Sequence, residues 1–546
     1  MTIEDNVHIL TGPEPYRPFL NTNLGQLYYD LLSKSKVHYD AMVDAQTGKT
    51  LSYKDLFEYT LILADYLQEL GYGKDSIMSI SSENNLQFFI PIISCLYTGS
   101  IMAPLNHNYT PEELSHCINI SKPKVLFCSE KVLNKFQKLK GELGFIKTII
   151  VIDSTKECYG VISLMNMLKE RRVNMSKWRL FKPIEDRPED LKSFIMCSSG
   201  TTGMPKGVLQ SHLNIVVRLN HCRDPRYSRV DKGLRVLAIL PFFHGFGLLT
   251  NLGAMFNQIQ IIMMNKFNEK NFLETIQNYK VNLLWLAPPL AVFLAKSPLV
   301  KNYDLSNVLE LLCGAAPLGK NIQEELKKRL KIDTIAQAYG LTEATLAVTL
   351  LERNQYNKQG SSGKVVPLMK CKVRDPDTGR SLSANKVGEL CFKGPMVMPG
   401  YYENLEATKA TFTSDGWLRT GDLGYYDDEG FFYIVDRLKE LIKYKGFQVA
   451  PAELEAVLLK HPKIRDCGVV GLPDELSGEL PLAFVVKRQG VELSEKEVVE
   501  FVAKSVSSSK HLRGGVIFIN EIPKNPSGKI LRRELKKLFN KCKNKL

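Results

Sequence analysis

The sequence of 546 residues has little of what marks disulfide-stapled, zinc-binding or secreted proteins. Its eleven cysteines include no CxxC pair, and the nearest two are Cys117 and Cys128. This spacing indicates neither a disulfide framework nor a zinc site, and it fits a reducing compartment. The first twenty residues contain Glu4, Asp5 and Glu14, so they do not resemble a secretory signal. Internal repeats and low-complexity tracts are also lacking.

An unbroken membrane-spanning run is lacking as well. Two uncharged stretches, 84–110 and 236–265, are longer than the roughly 20 residues that a spanning helix needs. The first contains Pro91 and Pro104, and the second contains Pro241 and several amides. We therefore expect buried elements of a large α/β domain and no transmembrane segment.

Acidic residues are scarce in the last part of the chain. The whole chain has a net charge of +14, and part of that positive charge is located there. Residues 524–546 carry many lysines and arginines against the single Glu534. Such a tail suits nucleic acid, a membrane surface or a polyanionic small substrate, and it equally suits a solvated helix face. A basic nucleic-acid-binding protein is thus an alternative function, supported only by this charge balance.

Apolar runs alternate with amphipathic segments through most of the chain. Residues 147–152 and 282–286 read as strands, and residues 321–330 read as a helix with apolar side chains at four-residue spacing. This alternation predicts an α/β architecture. The length exceeds one hydrophobic core, so at least two domains are expected.

The sequence pattern changes after about Arg437, where a compact and more highly charged unit is predicted to begin. A helix is predicted to begin at Pro451 and to end near His461, and a second opens at Ser494 with Glu497 in a capping-box pattern. We place the domain boundary at 436–439, which gives domains of residues 1–436 and 437–546.

The ten residues 198–207 form a loop rich in glycine and hydroxyl groups, directly after the apolar run 193–197. Glycine lets the backbone approach an anion, and Lys206 adds a positive charge for phosphate. The loop is not the common GxxxxGK[ST] template, because Gly207 follows the lysine. The residues predicted to hold phosphate are Ser198, Ser199, Gly200, Thr201, Thr202, Gly203 and Lys206.

Four further segments carry polar groups that suit a nucleotide pocket. In residues 339–343, Tyr339 can cover a base, Thr342 can donate to phosphate and Glu343 can hold a hard cation such as Mg²⁺. Asp422 ends the segment 416–422 and can accept from ribose hydroxyls. The segments 436–446 and 523–529 follow, and the last presents Lys529 between prolines and a glycine.

In this order and spacing the five segments resemble the adenylate-forming superfamily, which includes acyl-CoA synthetases, beetle luciferases and the adenylation domains of peptide synthetases. The resemblance spans about residues 25 to 535. It implies a large multi-subdomain N-terminal domain and a small, mobile α+β C-terminal domain with the site between them. It also implies two steps: a carboxylate and Mg·ATP give an acyl-adenylate and pyrophosphate, and a second nucleophile then takes the acyl group.

The resemblance assigns roles to individual residues. Lys529 bridges the carboxylate and the α-phosphate, Thr342 touches the α-phosphate, Glu343 binds Mg²⁺ and His244 lies near the reacting carboxylate. For the second step the small domain rotates and brings Lys443 and Gly446 to the site. The residues implied to contact the nucleoside are Gly314, Ala315, Ala316, Tyr339, Gly340, Asp422 and Arg437.

In individual residues and short segments, the sequence is similar to insect luciferases and related fatty acyl-CoA synthetases. The residues implied to line the acid pocket are Arg218, Phe246, Thr250, Leu346 and Ala347. Luciferases typically have a serine where this chain has Leu346, and a second glycine where it has Ala315. Both changes remove polarity or add an apolar group, and a pocket that lacks a donor orients a heteroaromatic acid poorly.

We therefore expect an ATP-dependent ligase for medium- or long-chain fatty acids and CoA, without efficient light production. The alternative is a luciferin 4-monooxygenase, which uses ATP, luciferin and O₂. The expected partners are the small substrates only, with no nucleic acid, and the chain is expected to be a monomer. The final residues 544–546, Asn-Lys-Leu, resemble a peroxisomal address read by an import receptor. The peroxisome is thus the expected location, with the cytosol as the alternative.

Overall fold

The structure is a computed structural model, and it describes residues 8–172, 181–198, 205–229, 231, 233–316, 318–333, 335–353, 355, 358–445, 447–525 and 528–543. In this part of the chain the strands form four β-sheets, and helices pack on the faces of the larger two. The predicted α/β architecture is confirmed.

The first large sheet has eight strands, and its inner strands run parallel. Parallel strands lie between helices on both faces, which explains why these strands are continuous apolar runs. Its strands, in sheet order, are Gly400–Tyr401, Lys206–Ser211, Lys192–Ser198, Ile101–Leu105, Ile77–Ser81, Val125–Cys128, Thr148–Val151 and Ile162–Ser163.

The second large sheet has nine strands, and its centre is again parallel. The two strands at one end turn back antiparallel and carry part of the site. In sheet order its strands are Lys364–Val365, Leu346–Leu350, Ile335–Leu341, Glu310–Cys313, Leu283–Leu286, Arg235–Ala238, Gln260–Met263, Asp40–Asp44 and Thr50–Ser52.

The other two sheets are smaller. The third is antiparallel, with strands Leu10–Thr11, Lys370–Arg374, Gly388–Lys393, Leu418–Tyr426 and Phe432–Arg437 in order. The fourth consists of Phe447–Val449, Ile442–Tyr444, Gly478–Lys487 and Ile464–Asp474, with Val516–Phe518 pairing to the long strand Gly478–Lys487.

The α-helices connect and cover these sheets. They are Leu24–Ser33, Tyr53–Glu69, Phe89–Thr98, Pro111–Ser121, Leu133–Glu142, Leu164–Arg171, His212–Arg223, Gly245–Phe256, Glu269–Asn278, Pro288–Lys296, Lys320–Leu330, Leu405–Thr411, Pro451–Leu458, Glu495–Ala503 and Arg532–Lys543.

The two uncharged stretches of the sequence are buried elements of the large sheets and their helices. Every residue of the helix Phe89–Thr98 is buried, and so is every residue of Gly245–Phe256. Both helices are short, because a glycine or an asparagine follows directly and the chain then enters a strand. Among the described residues, no helix combines the length and the hydrophobicity that crossing a membrane requires.

Two predicted helix features of the last hundred residues need correction. The helix that begins at Pro451 ends at Leu458 rather than near His461, because the next hydrogen bonds are those of tighter turns: the N–H groups of Lys460 and His461 donate to carbonyls only three residues earlier. Ser494 caps the next helix as predicted, since its side chain accepts from the backbone N–H of Glu497. The Glu497 carboxylate, however, accepts from the Lys463 ammonium at 2.9 Å, so the capping box is only half formed.

The chain passes from the third sheet to the fourth within four residues. Arg437 is the last residue of the third sheet and Ile442 is the first of the fourth. Asp436 Oδ2 accepts from the backbone N–H of Ala452, in the first turn of the helix Pro451–Leu458, at 3.0 Å. The boundary predicted at 436–439 falls at this crossing, and the two-domain division stays a prediction. We refer to the residues before and after it as the large lobe and the small lobe.

Candidate active site

The predicted phosphate loop is the connection of an antiparallel hairpin. Ser198 ends one strand, Lys206 begins the next, and the two residues are register partners. The hairpin thus holds both ends of the loop together at the edge of the eight-stranded sheet. Ser199, Gly200, Thr201, Thr202 and Gly203 lie outside the described residues.

The carboxylate of Glu343 joins three segments of the large lobe. Ser198 Oγ donates to Glu343 Oε1 at 3.1 Å, and the hydroxyl of Tyr401 donates to the same oxygen at 3.0 Å. The Lys206 ammonium lies 5.0 Å from the centre of the Tyr401 ring. Two residues that the sequence assigns to phosphate and one assigned to metal are therefore brought together.

The donor set around Glu343 fits Mg²⁺. Glu343 and Ser198 offer oxygen atoms only, and Mg²⁺ prefers hard oxygen ligands. Protein sites for Mg²⁺ commonly use one or two carboxylates and fill the remaining positions with water and substrate phosphates. A single carboxylate next to the phosphate loop suits that pattern, and the role of Glu343 stays a prediction.

Backbone geometry explains the glycine and the turn between Tyr339 and Glu343. A Cβ added at Gly340 would lie 1.6 Å from the carbonyl oxygen of Leu346, so a side chain does not fit there. Thr342 opens a single 3₁₀ turn, and its carbonyl accepts from Gln210 Nε2 at 3.1 Å. These contacts tie the predicted α-phosphate ligand to the strand that follows the phosphate loop.

The predicted ribose ligands form a polar cluster with the predicted base ligand. Tyr339 donates its hydroxyl to Asp422 Oδ2 at 2.6 Å, and Arg437 Nε lies 3.1 Å from Asp422 Oδ1. Burial, with the Asp422 charge beside it, holds the pKa of the Tyr339 hydroxyl well above its usual value. Tyr339 therefore stays a neutral donor, and it fixes the orientation of the carboxylate.

Lys529 reaches this cluster from the small lobe. Its loop is closed by two backbone contacts: the Lys529 N–H donates to Asn525 Oδ1, and the Asn525 N–H donates to the Lys529 carbonyl, both at 2.8 Å. Gly528 has φ of 82°, and a Cβ there would lie 3.0 Å from Cδ of Pro289 in the large lobe. The loop is thus packed against the large lobe at the start of the helix Pro288–Lys296.

The surroundings of Lys529 disfavour its charge. Burial, followed by the Arg437 charge, lowers the pKa of Lys529 to about 8, while Glu440 and Asp422 act in the opposite direction. Three positive groups, Lys529, Arg437 and Arg532, lie here near two carboxylates, Asp422 and Glu440, so positive charge predominates. This arrangement is receptive to an anion.

His244 stands before the helix Gly245–Phe256 as its N-cap. Its Nδ1 accepts from the backbone N–H of Phe246 at 3.3 Å, and burial lowers its pKa to about 4. The imidazole is therefore neutral at neutral pH and carries its proton on Nε2. It can donate a hydrogen bond, whereas it does not add positive charge.

A small apolar cluster lies between the helix Gly245–Phe256 and the nine-stranded sheet. It consists of Leu240, Phe246, Ala287, Leu312 and Leu346. Two of the predicted pocket residues, Phe246 and Leu346, thus face each other through apolar surface. A Cβ at Gly314 would lie 3.2 Å from the Phe246 ring, which places the predicted adenine segment beside this cluster.

Three of the thirteen described non-glycine residues with a positive φ lie at the same place. Ala315, Thr345 and Leu346 have φ of 72°, 54° and 85°, in the left-handed region that favours glycine. Non-glycine residues held there commonly mark binding or catalytic sites. Ala315 is exposed, Ala316 is half-buried and Ala347 is buried.

Two other predicted pocket residues border a small cavity beyond Phe246. Arg218 and Thr250 line it, and its volume is about 30 Å³. Thr250 is one helical turn after Phe246, and its hydroxyl donates to the Phe246 carbonyl. Arg218, Thr250 and Phe246 thus lie close together in the large lobe, and the acid pocket itself stays a prediction.

Lys443 lies apart from these residues. Its side chain is exposed, and its backbone N–H donates to Glu479 Oε2 at 3.0 Å within the small lobe. Gly446 lies outside the described residues. The arrangement brings Lys529 to the large lobe and leaves Lys443 in solvent.

Reasoning from sequence missed several residues of the site. Tyr401 and Gln210 contact the predicted ligands Glu343 and Thr342, and Pro289 receives the Lys529 loop. Tyr401 and Pro289 lie in segments without a motif, and Gln210 follows the phosphate loop as an ordinary strand residue. Only the strand pairing and the lobe contact identify them.

A carboxylate, a hydroxyl-bearing hairpin and a lysine from a second lobe are groups that adenylation from ATP can use. A family model described as "AMP-binding enzyme" matches residues 33–402, and one described as "AMP-binding enzyme C-terminal domain" matches residues 453–529. The chain belongs to the AMP-binding enzyme family.

The relatives include luciferases and CoA ligases. A luciferin 4-monooxygenase of Photuris pensylvanica is 44% identical over 545 residues, which cover 99% of this chain and 100% of that protein. The peroxisomal OPC-8:0-CoA ligase 1 of Arabidopsis thaliana is 38% identical over 503 residues, covering 91% and 90%. Both similarities extend over nearly the whole chain.

Solved structures agree with the fold. The red-emitting luciferase of Phrixothrix hirtus is 44% identical, with a TM-score of 0.73 and coverage of 98% of this chain and 99% of that chain. ATP-bound MatB of Rhodopseudomonas palustris is 25% identical, covers 95% and 99%, and has a TM-score of 0.84, against 0.73 for its apo form. The chain has the α/β fold of luciferases and acyl-CoA synthetases.

These comparisons support the predicted function in its coarser form. The chain is an adenylating enzyme close to luciferases and more distant from CoA ligases. Specificity for a fatty acid is not among these findings, and the luciferase alternative fits them better than the fatty acid–CoA ligase that we expected from the sequence.

Proposed function

We propose that this enzyme activates a carboxylic acid with ATP, forming an acyl-adenylate and pyrophosphate, and then transfers the acyl group to CoA. The observation that carries the first step is the position of Lys529. It is packed into the large lobe near Asp422 and Arg437, on a loop that belongs to the small lobe. The higher TM-score to ATP-bound than to apo MatB supports the same arrangement of lobes.

The barrier to adenylation is electrostatic, because a carboxylate must approach a polyphosphate. Cationic groups and donors placed where negative charge develops lower this barrier. At a separation of about 4 Å, one charge pair is worth roughly 4 kcal/mol at an effective dielectric of about 20. On the proposed function, Lys529 lies between the two anions, and the neutral His244 donates from Nε2 on the carboxylate side.

The remaining residues hold the nucleotide in the proposed complex. Asp422, oriented by Tyr339, accepts from the ribose hydroxyls, and Thr342 donates to the α-phosphate. Glu343, with the hydroxyl of Ser198 beside it, is the residue that would hold Mg²⁺. When bound there, the ion neutralises charge on the phosphates.

Transfer to CoA is proposed from the acid pocket. Leu346 is an aliphatic residue in an apolar cluster with Phe246 and Leu312, and it offers no donor to a heteroaromatic acid. A CoA ligase is also among the relatives. For this step we propose that the small lobe rotates so that Lys443 replaces Lys529 at the site.

Luciferin 4-monooxygenase is the second candidate. The observation in its favour is the 44% identity to the luciferases of Photuris and Phrixothrix over nearly the whole chain, against 38% to the Arabidopsis CoA ligase. In this candidate the first step is the same, and O₂ then oxidises the adenylate instead of CoA accepting the acyl group. The residues assigned to adenylation are therefore the same for the CoA ligase and for the luciferin 4-monooxygenase.

Two measurements test the function and separate the candidates. Exchange of labelled pyrophosphate into ATP across a panel of carboxylic acids should depend on acid and on Mg²⁺; no exchange with any acid would overturn adenylation. The purified enzyme is then given CoA with the best acid, or luciferin and O₂. Acyl-CoA formation with weak light supports the ligase, and strong light without acyl-CoA supports the oxygenase.

The peroxisomal location and the monomeric state stay proposals. The C-terminal tripeptide on which the location rests lies outside the described residues. Expression of the full chain with and without its last three residues should shift a fluorescent fusion from peroxisomes to the cytosol, with the tag placed at the N-terminus.

A further inference from the structure

We propose that the far end of the acid pocket is a cationic subsite that selects acids carrying a second carboxylate, remote from the carboxyl that is adenylated. We call Arg218, Arg229, Glu310 and Arg353 the far-end cluster. The inference rests on the proposed adenylation and narrows its substrate class.

The cavity of about 30 Å³ lies between the nine-stranded sheet and the helices His212–Arg223 and Gly245–Phe256. Arg218, Arg229, Thr250, Glu310 and Leu312 are among its lining residues. Leu312 lines this cavity and also packs in the apolar cluster, so the two lie next to each other. The surroundings are therefore apolar near Phe246, and charged side chains line the cavity beside them.

The strand Glu310–Cys313 runs along this path. Leu311 and Cys313 pack into the core on the opposite face of the sheet, so Glu310 and Leu312 share the face toward the cavity. Gly314 belongs to the predicted adenine segment. At roughly 3.3 Å per residue, Glu310 lies about 13 Å from it along the strand direction. A chain of medium length spans that distance.

The guanidinium of Arg218 is buried and has no ion-pair partner among the described residues. Its side chain is buried, with 6% exposure, and its Nε has no hydrogen-bond partner. The described part of the chain provides it with no ion pair. A buried guanidinium without a counter-ion is unfavourable, and a substrate carboxylate would supply both the charge and bidentate acceptors.

The other arginines of the cluster share one buried carboxylate. Nε of Arg229 and Nε of Arg353 lie 3.8 and 3.6 Å from Glu310 Oε2, and neither makes a hydrogen bond. Arg229 also approaches the exposed Asp231 at 3.8 Å. Burial raises the pKa of Glu310 to about 7, while the two arginines act to lower it. Glu310 is thus shared between two arginines and is not an ion-pair partner of Arg218.

The neighbouring polar groups are engaged with partners other than Arg218. Asp224 is paired with Arg226 at 2.6 Å, and Tyr227 directs its hydroxyl to Glu352 at 3.5 Å. His221 contacts the Pro367 carbonyl at 3.0 Å, and burial lowers its pKa to about 3, so it is neutral. Arg218 therefore keeps its charge available to the cavity.

An unbranched fatty acid would place its apolar end against these charges. The free space of about 30 Å³ equals roughly the share of one water molecule in the liquid. Any acid that reaches this end has to displace part of the lining, and a methyl end would then leave Arg218 unpaired. A carboxylate at that end turns the same contact into an ion pair.

The test compares matched acids in pyrophosphate exchange. The unmodified enzyme is given hexanoic to dodecanoic acids, the corresponding α,ω-diacids and the ω-hydroxy acids. We expect kcat/KM for the best diacid to exceed that of the monoacid of equal length by about tenfold, the scale of one hydrogen bond to a charged group. Equal or better use of monoacids at every length, or a preference for hydroxy acids over diacids, would overturn the subsite.

Two substitutions are expected to change the diacid-to-monoacid ratio in opposite directions. Arg218→Gln should lower it to about one, and Glu310→Gln should raise it, because the carboxylate that competes with the substrate is removed. Arg187→Gln, on the surface of the large lobe, is the matched control and should leave the ratio unchanged. A parallel change of both acids in Arg218→Gln would assign that residue a structural role only and overturn the proposal.

The outcomes separate this inference from the proposed function. If no acid of any class supports exchange, adenylation itself fails. If monoacids are good substrates and diacids are not, adenylation stands and the cationic subsite fails. Protection of each variant by ATP against thermal unfolding shows that it is folded.

Discussion

Lys529 is a residue whose surroundings oppose its own charge. Arg437 and burial disfavour the ammonium, while Asp422 and Glu440 favour it, and the net effect lowers its pKa to about 8. An anionic substrate reverses this balance, because it adds negative charge beside the lysine. The side chain is thus held ready for an anion rather than satisfied within the protein.

The first prediction concerns removal of that charge. Lys529→Ala should lower the rate of adenylate formation by about 10²–10³, the effect of losing one donor that acts in the transition state. Hydrolysis of preformed adenylate should change much less. Single-turnover pyrophosphate release and adenylate hydrolysis, measured on the same preparation, provide the comparison.

A matched control for this change is Lys537→Ala. Lys537 lies on the helix Arg532–Lys543, is about half exposed and pairs with Glu534 at 2.7 Å. Its loss should leave both rates within about a factor of two, since surface pairs contribute little. Equal losses of both half-reactions in Lys529→Ala would contradict the assigned role.

The second prediction follows from the pKa of Lys529. The lysine acts in its protonated form, and the lowered pKa means that this form is lost as the pH rises through about 8. The value of kcat/KM for pyrophosphate exchange, which reports the free enzyme, should therefore fall above that pH. In Lys529→Arg the alkaline fall should disappear, because arginine stays charged. An identical profile in both proteins would assign the fall to another group.

The third prediction concerns the acid pocket. Leu346→Ser adds a hydroxyl within the apolar cluster and should improve handling of luciferin, seen as a lower KM and more light with ATP and O₂. Leu346→Ala removes the same bulk without adding a donor and is the control. Unchanged luciferin binding and light output in Leu346→Ser would argue against this residue as a discriminator.

At the scale of elements, the strands around the site were predictable because they are short apolar runs. Residues 193–197 and 282–286 became the strands Lys192–Ser198 and Leu283–Leu286, and the helix predicted over 321–330 is Lys320–Leu330. The end of the helix Pro451–Leu458 was predicted too late, because His461 and Pro462 follow a turn rather than a helix. Local sequence does not encode where tertiary packing stops a helix.

The parts of the site that sequence did not predict depend on contacts between distant segments. Tyr401 meets Glu343 only because the short strand Gly400–Tyr401 pairs with the strand Lys206–Ser211. The far-end cluster joins Arg218 of a helix to Glu310 of a strand through a cavity. Neither pairing leaves a motif, since the residues are far apart in sequence and ordinary in type.

The fourth prediction concerns the element that joins the lobes. Asp436, in the last strand of the third sheet, accepts from the backbone N–H of Ala452 and lies where the helix dipole favours a negative charge. Asp436→Ala should destabilise the first turn of Pro451–Leu458 by about 1 kcal/mol, the effect of losing a cap. Hydrogen exchange of that turn should quicken several-fold. Asp436→Asn keeps an acceptor and should change exchange less; unchanged exchange in the alanine variant would contradict the contact.

At the scale of the whole molecule, the two lobes meet at a small contact that can be locked. A Cβ at Gly528 of the small lobe would lie 3.4 Å from Cβ of Ala287 in the large lobe, close to the spacing of a disulfide. The contact holds the arrangement in which Lys529 is docked and Lys443 is exposed. Locking it should separate the two half-reactions.

The fifth prediction uses this contact. When oxidised, the double variant Ala287→Cys with Gly528→Cys should retain adenylate formation within about tenfold, allowing for strain at the positive φ of residue 528. It should lose thioester formation by about 10² or more, and a reductant should restore it. The single variants are the controls. Thioester formation at the normal rate in the oxidised protein would show that rotation of the lobe is unnecessary.

The separation of Lys443 from Lys529 on the small lobe also affects how many ATP molecules are consumed per molecule of product. On the proposed function, neither lysine covers the mixed anhydride while the small lobe rotates between its two positions, and only the walls of the large lobe keep water from it. The number of ATP molecules used per product then depends on whether the small lobe rotates faster than water hydrolyses the anhydride. A slow hinge would make the enzyme wasteful even with every catalytic group intact.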